Sequence, residues 1–176
     1  MAPVAKLLIN TNVTTLVLDN NPLGDEGVVV LAGSLRGMRL KELSLVSVHM
    51  GHKGALPLLG AVEHMVDLEL LNLSSKEGLF RNKVSCDSLA HLNSLLRNPN
   101  CKLKTLNMDY VGLGSQGVTV LFDNVTSASL QVLSLAKNEI GNKCMSHLVN
   151  SLSSMGIQNL DLSKNSLNRH GLRPLA

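Results

Sequence analysis

VTTLVLDNNPLGDEGVVVLAGSL, residues Val13 to Leu35, returns as LQVLSLAKNEIGNKCMSHLVNSL, residues Leu130 to Leu152. The apolar residues, an Asn and the turn after it stay in register. Such self-similarity is the sequence signature of a stacked repeat. Aligning every copy on the second apolar residue of its strand signature places anchors at Leu16, Leu43, Leu71, Leu106, Leu133 and Leu160, in steps of 27, 28, 35, 27 and 27 residues. Two residues beyond each anchor stand Leu18, Leu45, Leu73, Met108, Leu135 and Leu162, and three residues before it Val13, Leu40, Leu68, Leu103, Leu130 and Ile157. Alternation of apolar and variable residues predicts a short strand buried on one face.

Further along each copy the period lengthens. Val28, Leu31 and Leu35 are three and four apart, as are Val118, Leu121 and Val125, and Leu148 and Leu152 are four apart, which predicts helices. Glycines punctuate the junctions at Gly24 and Gly27, Gly51 and Gly54, Gly114 and Gly117, and Gly171, where the chain must turn sharply or pack closely. A single strand and helix cannot bury their apolar sides alone. Stacked copies share a continuous core between an inner parallel sheet and an outer helix layer.

Leu16, Leu18, Asn21, Leu23, Gly24, Gly27, Leu31 and Leu35 resemble the unit of ribonuclease-inhibitor-type leucine-rich repeats. The resemblance runs from about Val13 to Leu175. It implies an α/β solenoid, a horseshoe arc of about six strand-loop-helix units with a parallel inner sheet and outer helices. It also implies that an Asn in each turn bonds backbone groups there. That Asn is present as Asn21, Asn138 and Asn165, but Val48, Lys76 and Val111 stand in its place in copies two to four. Those copies must satisfy the turn's backbone groups otherwise, unless the change is drift without consequence.

Residues 1–176 read as one repeat domain, a fragment of a longer protein or uncapped at both ends. Val4, Leu7 and Leu8 look like the tail of a preceding helix, and Leu172 and Leu175 like the start of a sixth. The chain is 44% hydrophobic and only 2% aromatic, so aliphatic side chains are expected to fill the core. It has no apolar run long enough for a bilayer, and its amino terminus makes a poor signal peptide. Cys86, Cys101 and Cys144 are odd in number and widely spaced, which predicts free thiols and a cytoplasmic setting, and the family resemblance leaves cytoskeletal association open. The sequons at Asn12, Asn72 and Asn124 then carry no sugar.

Candidate binding residues fall in two places. On the concave face stand Val17, Ser44, Asn72, Asn107, Ser134 and Asp161, followed two positions later by Asp19, Val46, Ser74, Asp109, Ala136 and Ser163. This face is mostly small and polar, and Tyr110, the only aromatic nearby, with Asp109, is its best contact candidate. The second place is copy three, whose long step predicts extra loop around SSKEGLFRNKVS, with Lys76, Phe80, Arg81 and Lys83, and around RNPNCKLK, with Arg97, Lys102 and Lys104. Phe80 between cations suits an acidic partner surface, or else folds back as a local plug.

Chemistry finds few footholds. The net charge of +3 and the shortage of stacking aromatics argue against a nucleic-acid groove or a membrane surface. The pairs His49 with His52 and Cys144 with His147 supply two potential ligands each, short of a zinc set. Gly112, Gly114 and Gly117 belong to the repeat turn, and Asp25 and Glu26 sit at a helix start, where carboxylates favour the dipole. The sequence therefore predicts a non-catalytic protein interaction or scaffold module without cofactor or metal, binding protein partners, alone or within a larger assembly. Two alternatives stay open from the resemblance: a small-GTPase regulator like the Ran GTPase-activating family, and the ligand-sensing fragment of a nucleotide-binding leucine-rich-repeat receptor.

Overall fold

A computed structural model describes residues 12–126, 128–171 and 173. The expectations at Val4, Leu7, Leu8, Leu172 and Leu175 lie outside the described residues. Six strands, β1 (Thr15–Val17), β2 (Glu42–Ser44), β3 (Leu70–Asn72), β4 (Thr105–Asn107), β5 (Val132–Ser134) and β6 (Asn159–Asp161), form one parallel sheet in chain order. Between them lie α1 (Gly24–Leu35), α2 (His52–Val62), α3 (Cys86–Arg97), α4 (Gly114–Leu121) and α5 (Met145–Leu152), the last preceded by a 3-10 turn at Asn142–Cys144.

The register follows the leucine anchors. Leu16, Leu43, Leu71, Leu106, Leu133 and Leu160 pair in one row across the sheet. The four inner anchors are fully buried and their partners two residues on, Leu45, Leu73, Met108 and Leu135, are buried with them. Period-two burial on three-residue strands leaves no room for slip, because a shift of one residue would expose the whole row. Helices close the other side of the same core through Val28, Leu31 and Leu35 in α1, Leu89, Leu92 and Leu96 in α3, and Leu148 and Leu152 in α5. Each helix packs on its sequence neighbour, as a one-dimensional stack requires.

Two details depart from the sequence reading. Helix α4 ends at Leu121, so Val125 reaches the core from the turn that follows rather than from the helix. The core also holds one aromatic among its aliphatics, Phe122, which is fully buried and whose carbonyl accepts a hydrogen bond from Ser151 Oγ at 2.9 Å.

The acid at the first helix start does more than favour its own dipole. Asp25 Oδ1 accepts from the backbone N–H groups of Gly51 and Gly54 at 2.7 and 2.8 Å, so copy one caps the helix of copy two. A Cβ on Gly54 would lie 2.8 Å from that same oxygen, which is why the position is glycine. Ser115 makes the equivalent link from copy four to copy five, its Oγ accepting from Gly141 N–H at 2.9 Å.

Candidate functional site

After each strand the chain turns, and the turns of successive copies line up along one rim of the sheet. Four residues beyond the anchor, Asn20, Ser47, Tyr110, Lys137 and Lys164 all have positive φ, between 53° and 60°. The equivalent residue of copy three, Ser75, does not share this geometry.

One position further along sits the turn asparagine. Asn138 is fully buried, its Oδ1 accepting from Val111 and Leu113 N–H and its Nδ2 donating to the carbonyls of Met108 and Ala136. Asn165 repeats this one copy later, accepting from Asn138 and Ile140 N–H and donating to Leu135 and Leu162 carbonyls. In each case the amide staples its own turn to the preceding copy.

Copy three, where the sequence puts Lys76 at this position, corrects the expectation of a missing staple. Asn82 fills it: fully buried, it accepts from Val48 and Met50 N–H at 3.1 Å each and donates to the carbonyls of Leu45 and Leu73 at 2.7 and 2.9 Å. The chain leaves the repeat at Ser75, runs through Lys76, Glu77, Gly78, Leu79, Phe80 and Arg81, and rejoins it at Asn82, whose N–H donates to Ser75 Oγ at 2.8 Å. The missing signal was Asn-x-aliphatic: Asn82-Lys83-Val84 matches Asn21-Pro22-Leu23, Asn138-Glu139-Ile140 and Asn165-Ser166-Leu167. At the other two positions, Val48 and Val111, the side chain is apolar and fully buried.

The extruded loop leans over its neighbours in both directions. The Arg81 guanidinium lies 4.1 Å above the Tyr110 ring, and Arg81 Nε donates to the Tyr110 carbonyl at 3.2 Å. A cation over an aromatic face is attracted by the ring quadrupole. Lys137 Nζ stands 5.9 Å from the same ring and pairs with Glu77. That hydrogen bond first, and the lysine's charge second, hold the Glu77 carboxyl below its ordinary range, and the same bond raises the Lys137 ammonium. On the other side Phe80 stacks on His49 of copy two, ring centroids 5.2 Å apart and planes inclined by 29°. Phe80 is 43% exposed and Leu79 is 48% exposed, so neither is a buried plug. An open groove joins Leu79, Phe80, Arg81 and Lys83 to His49, Met50 and Asp25.

The two candidate places of the sequence reading therefore meet at one point, with Arg81 from the loop on Tyr110 from the next turn. The remaining sheet candidates behave differently. Asp109 Oδ1 accepts from Ser134 Oγ at 2.6 Å and Ala136 N–H at 2.8 Å, a pin between copies that Asp19 duplicates with Ser44 Oγ and Val46 N–H. Asn72 and Asn107 are register partners on β3 and β4, both half-buried, and Asn72 Oδ1 accepts from Ser74 N–H. Among the described residues no hydrogen bond joins either one to Phe80, Arg81 or Lys83. Ser44, Val46, Ser74 and Ala136, expected on display, are buried between neighbouring copies, while Val17 is exposed.

The other basic segment is not a free patch. Lys102 pairs with Asp67 at 2.6 Å and Lys104 with Glu69 at 2.7 Å, each reaching back one copy. Cys101 and Cys144 are buried and free, and burial pushes both thiols up, which disfavours thiolate. Among the described residues no three His, Cys, Asp or Glu side chains are grouped to hold a metal ion, and no helix is long and apolar enough to cross a membrane.

Comparison with known proteins places this geometry. The family pattern described as Leucine Rich repeat matches residues 10–32 and 126–148, the region of the two segments that repeat each other most clearly. The chain is 31% identical over 130 residues to the ribonuclease inhibitor of Mus musculus, covering 72% of this chain and 27% of that protein. It is 30% identical over 137 residues to NACHT, LRR and PYD domains-containing protein 3 of Rattus norvegicus, covering 76% of this chain and 13% of the other. With NACHT, LRR and PYD domains-containing protein 2 of Homo sapiens the identity is 32% over 140 residues, 77% of this chain and 12% of the other. The chain thus spans about a quarter or less of the length of these relatives.

Proposed function

Because this chain belongs to the ribonuclease-inhibitor-type leucine-rich-repeat family, we propose that it is a non-catalytic docking module that holds a protein partner at the rim of copy three and on the adjoining concave sheet. The observation that carries this reading is the loop Lys76–Arg81, which leaves the repeat and rejoins it while Asn82 keeps the core ladder whole. An insertion that disturbs nothing inside the fold and exposes Leu79 and Phe80 outside it has its use outside. Tyr110 and Arg81, types enriched at interface hot spots, lock each other beside it. Asn107 and Asn72 extend the contact over the sheet, with Asp109 through the carboxylate oxygen that does not engage Ser134 and Ala136, and Lys83 lines the same groove as Phe80.

A partner surface fits this scale, since strands about 4.8 Å apart give the six-stranded sheet an inner edge of about 25 Å. A cytoplasmic scaffold role follows the same reading. Incorporating a photo-crosslinking residue at Phe80, at Asn107 and, as a control on the outer helix layer, at Thr119, in cells that express the protein, tests it. The expected result is one specific protein joined from Phe80 or Asn107 and not from Thr119. Crosslinks from Thr119 alone, or none at all, would overturn the reading.

A second reading has one observation in its favour, the likeness to proteins whose names include NACHT and PYD domains. There this stretch would be the sensing part of a longer receptor, and the same rim would meet its ligand. A coding sequence in which these residues adjoin a NACHT domain would support it.

A further inference from the structure

The turns that make the rim are chemically lopsided. From Asn20 in copy one to Ser166 in copy six, the turn segments carry Lys76, Arg81, Lys83, Lys137 and Lys164 against Glu77 and Glu139, while a third carboxylate in the groove, Asp25, is engaged by the N–H groups of Gly51 and Gly54. At the opposite edge Lys102 and Lys104 are paired with Asp67 and Glu69.

Arg81 is the best prepared of these cations. Its guanidinium sits 4.1 Å over the Tyr110 ring and its Nε is spent on the Tyr110 carbonyl, so the side chain has little rotamer freedom left to lose. Among the described residues no carboxylate pairs with it. A fixed guanidinium edge suits the two oxygens of a carboxylate. Glu77 shows that the rim accepts such a group, since it already occupies Lys137 from within the loop. Beside the cations lies an apolar step formed by Leu79 and by Phe80 stacked on His49.

We infer that this rim takes a carboxylate-rich peptide segment of the partner carrying one large apolar side chain, with Arg81, Lys137 and Lys164 meeting the acids and Leu79 with Phe80 meeting the apolar group. The inference rests on the docking reading above and adds the chemistry of the occupant. Glu77 then acts as an internal placeholder that an incoming carboxylate displaces from Lys137.

The test uses the full chain and a short fluorescent Glu-rich peptide with one central Phe, read by anisotropy. Its Gln-for-Glu analogue, its Ala-for-Phe analogue and a single-stranded oligodeoxynucleotide serve as comparators. The Glu-rich peptide binds, and rising salt weakens it. Arg81→Ala and Arg81→Lys each weaken it by about tenfold, because lysine lacks the planar fork. Phe80→Ala weakens it too, while Glu77→Gln tightens it by about twofold to fivefold through the freed Lys137. Circular dichroism melts of each variant separate lost binding from lost folding, and Arg81→Lys keeps the test valid should Arg81→Ala fold poorly. Equal binding of the Gln analogue, equal or tighter binding of the oligodeoxynucleotide, or no peptide binding at about millimolar concentration would overturn the inference. A partner crosslinked at Phe80 through a neutral or basic segment would overturn it as well, yet leave the docking reading standing. Absence of any crosslink at Phe80 and Asn107 removes the docking reading itself.

Discussion

Copies three and five solve the same turn with different lengths of chain. In copy five, Lys137 takes the left-handed conformation and Asn138 follows at once as the staple. In copy three, six residues intervene between Ser75 and Asn82, yet the amide reaches the equivalent backbone atoms of copy two, the N–H groups of Val48 and Met50 and the carbonyl of Leu45. What the stack preserves is the place of a buried amide, because the backbone groups it satisfies cannot find water. The number of residues that lead to it is free to vary, since extra loop in solvent costs only chain entropy that grows slowly with length.

The comparison is broken most sharply by removing either amide. Asn82→Ala and Asn138→Ala should each cost about 3 kcal/mol or more, as several buried backbone groups lose their partner at once. Urea unfolding of both variants measures this. A much smaller cost for Asn82→Ala would mean that copy three holds its turn by other means.

Next in size is deletion of Lys76–Arg81, which joins Ser75 directly to Asn82 and restores the spacing of copy five. Stability should change by less than about 1 kcal/mol, with Ser75 taking the left-handed geometry of Ser47 and Lys137. Loss of cooperative unfolding in that variant would show the loop to be part of the core.

The loop's own attachment is weaker. A double-mutant cycle of Arg81→Ala with Tyr110→Ala should give a coupling of about 0.5 to 1 kcal/mol, the range for an exposed cation over a ring. Additive losses would mean that the two side chains are neighbours without a bond.

The smallest effect belongs to Glu77 and Lys137, both exposed to solvent screening. The Glu77 carboxyl is held below its ordinary value of 4.5, so its contribution is present above that value and fades as acid protonates it. Lys137 is raised above its ordinary 10.5, so its share is present below that pH and fades in stronger alkali. Glu77→Gln should flatten the acid limb slightly, and an unchanged limb in pH-dependent melts would count against the pair.

The sheet and the rim differ in another way. On the sheet, polar side chains are spent inside the stack: Asp19 and Asp109 pin the next copy through Ser44 and Ser134. On the rim, Arg81, Lys83 and Phe80 remain turned to solvent in whole or part. A carboxylate on a concave face predicts a contact at Asp109, but no spacing along the chain shows that one of its oxygens is committed across the sheet to a residue 25 positions away.

The row of anchors was legible because burial on a strand has a period of two and a stack repeats it, so spacing alone fixed Leu16 through Leu160 in register. Helix positions were legible for the same reason at their longer period, although the end of α4 was not, since Val125 is buried without being helical. Asn82 escaped a count made forward from the strand and would have been found by counting back from Val84.

Local periodicity thus determined, from the sequence by itself, that the chain is a solenoid and which leucines line its seam. Only the tertiary structure decided that the Asn82 amide reaches back to the Leu45 carbonyl, that Asp25 caps a helix it does not belong to, and that Arg81 rests on Tyr110. Those contacts join residues 26 to 37 positions apart across neighbouring copies. A hydrogen bond or a cation over a ring depends on distance and angle in space, and no spacing along the chain records either.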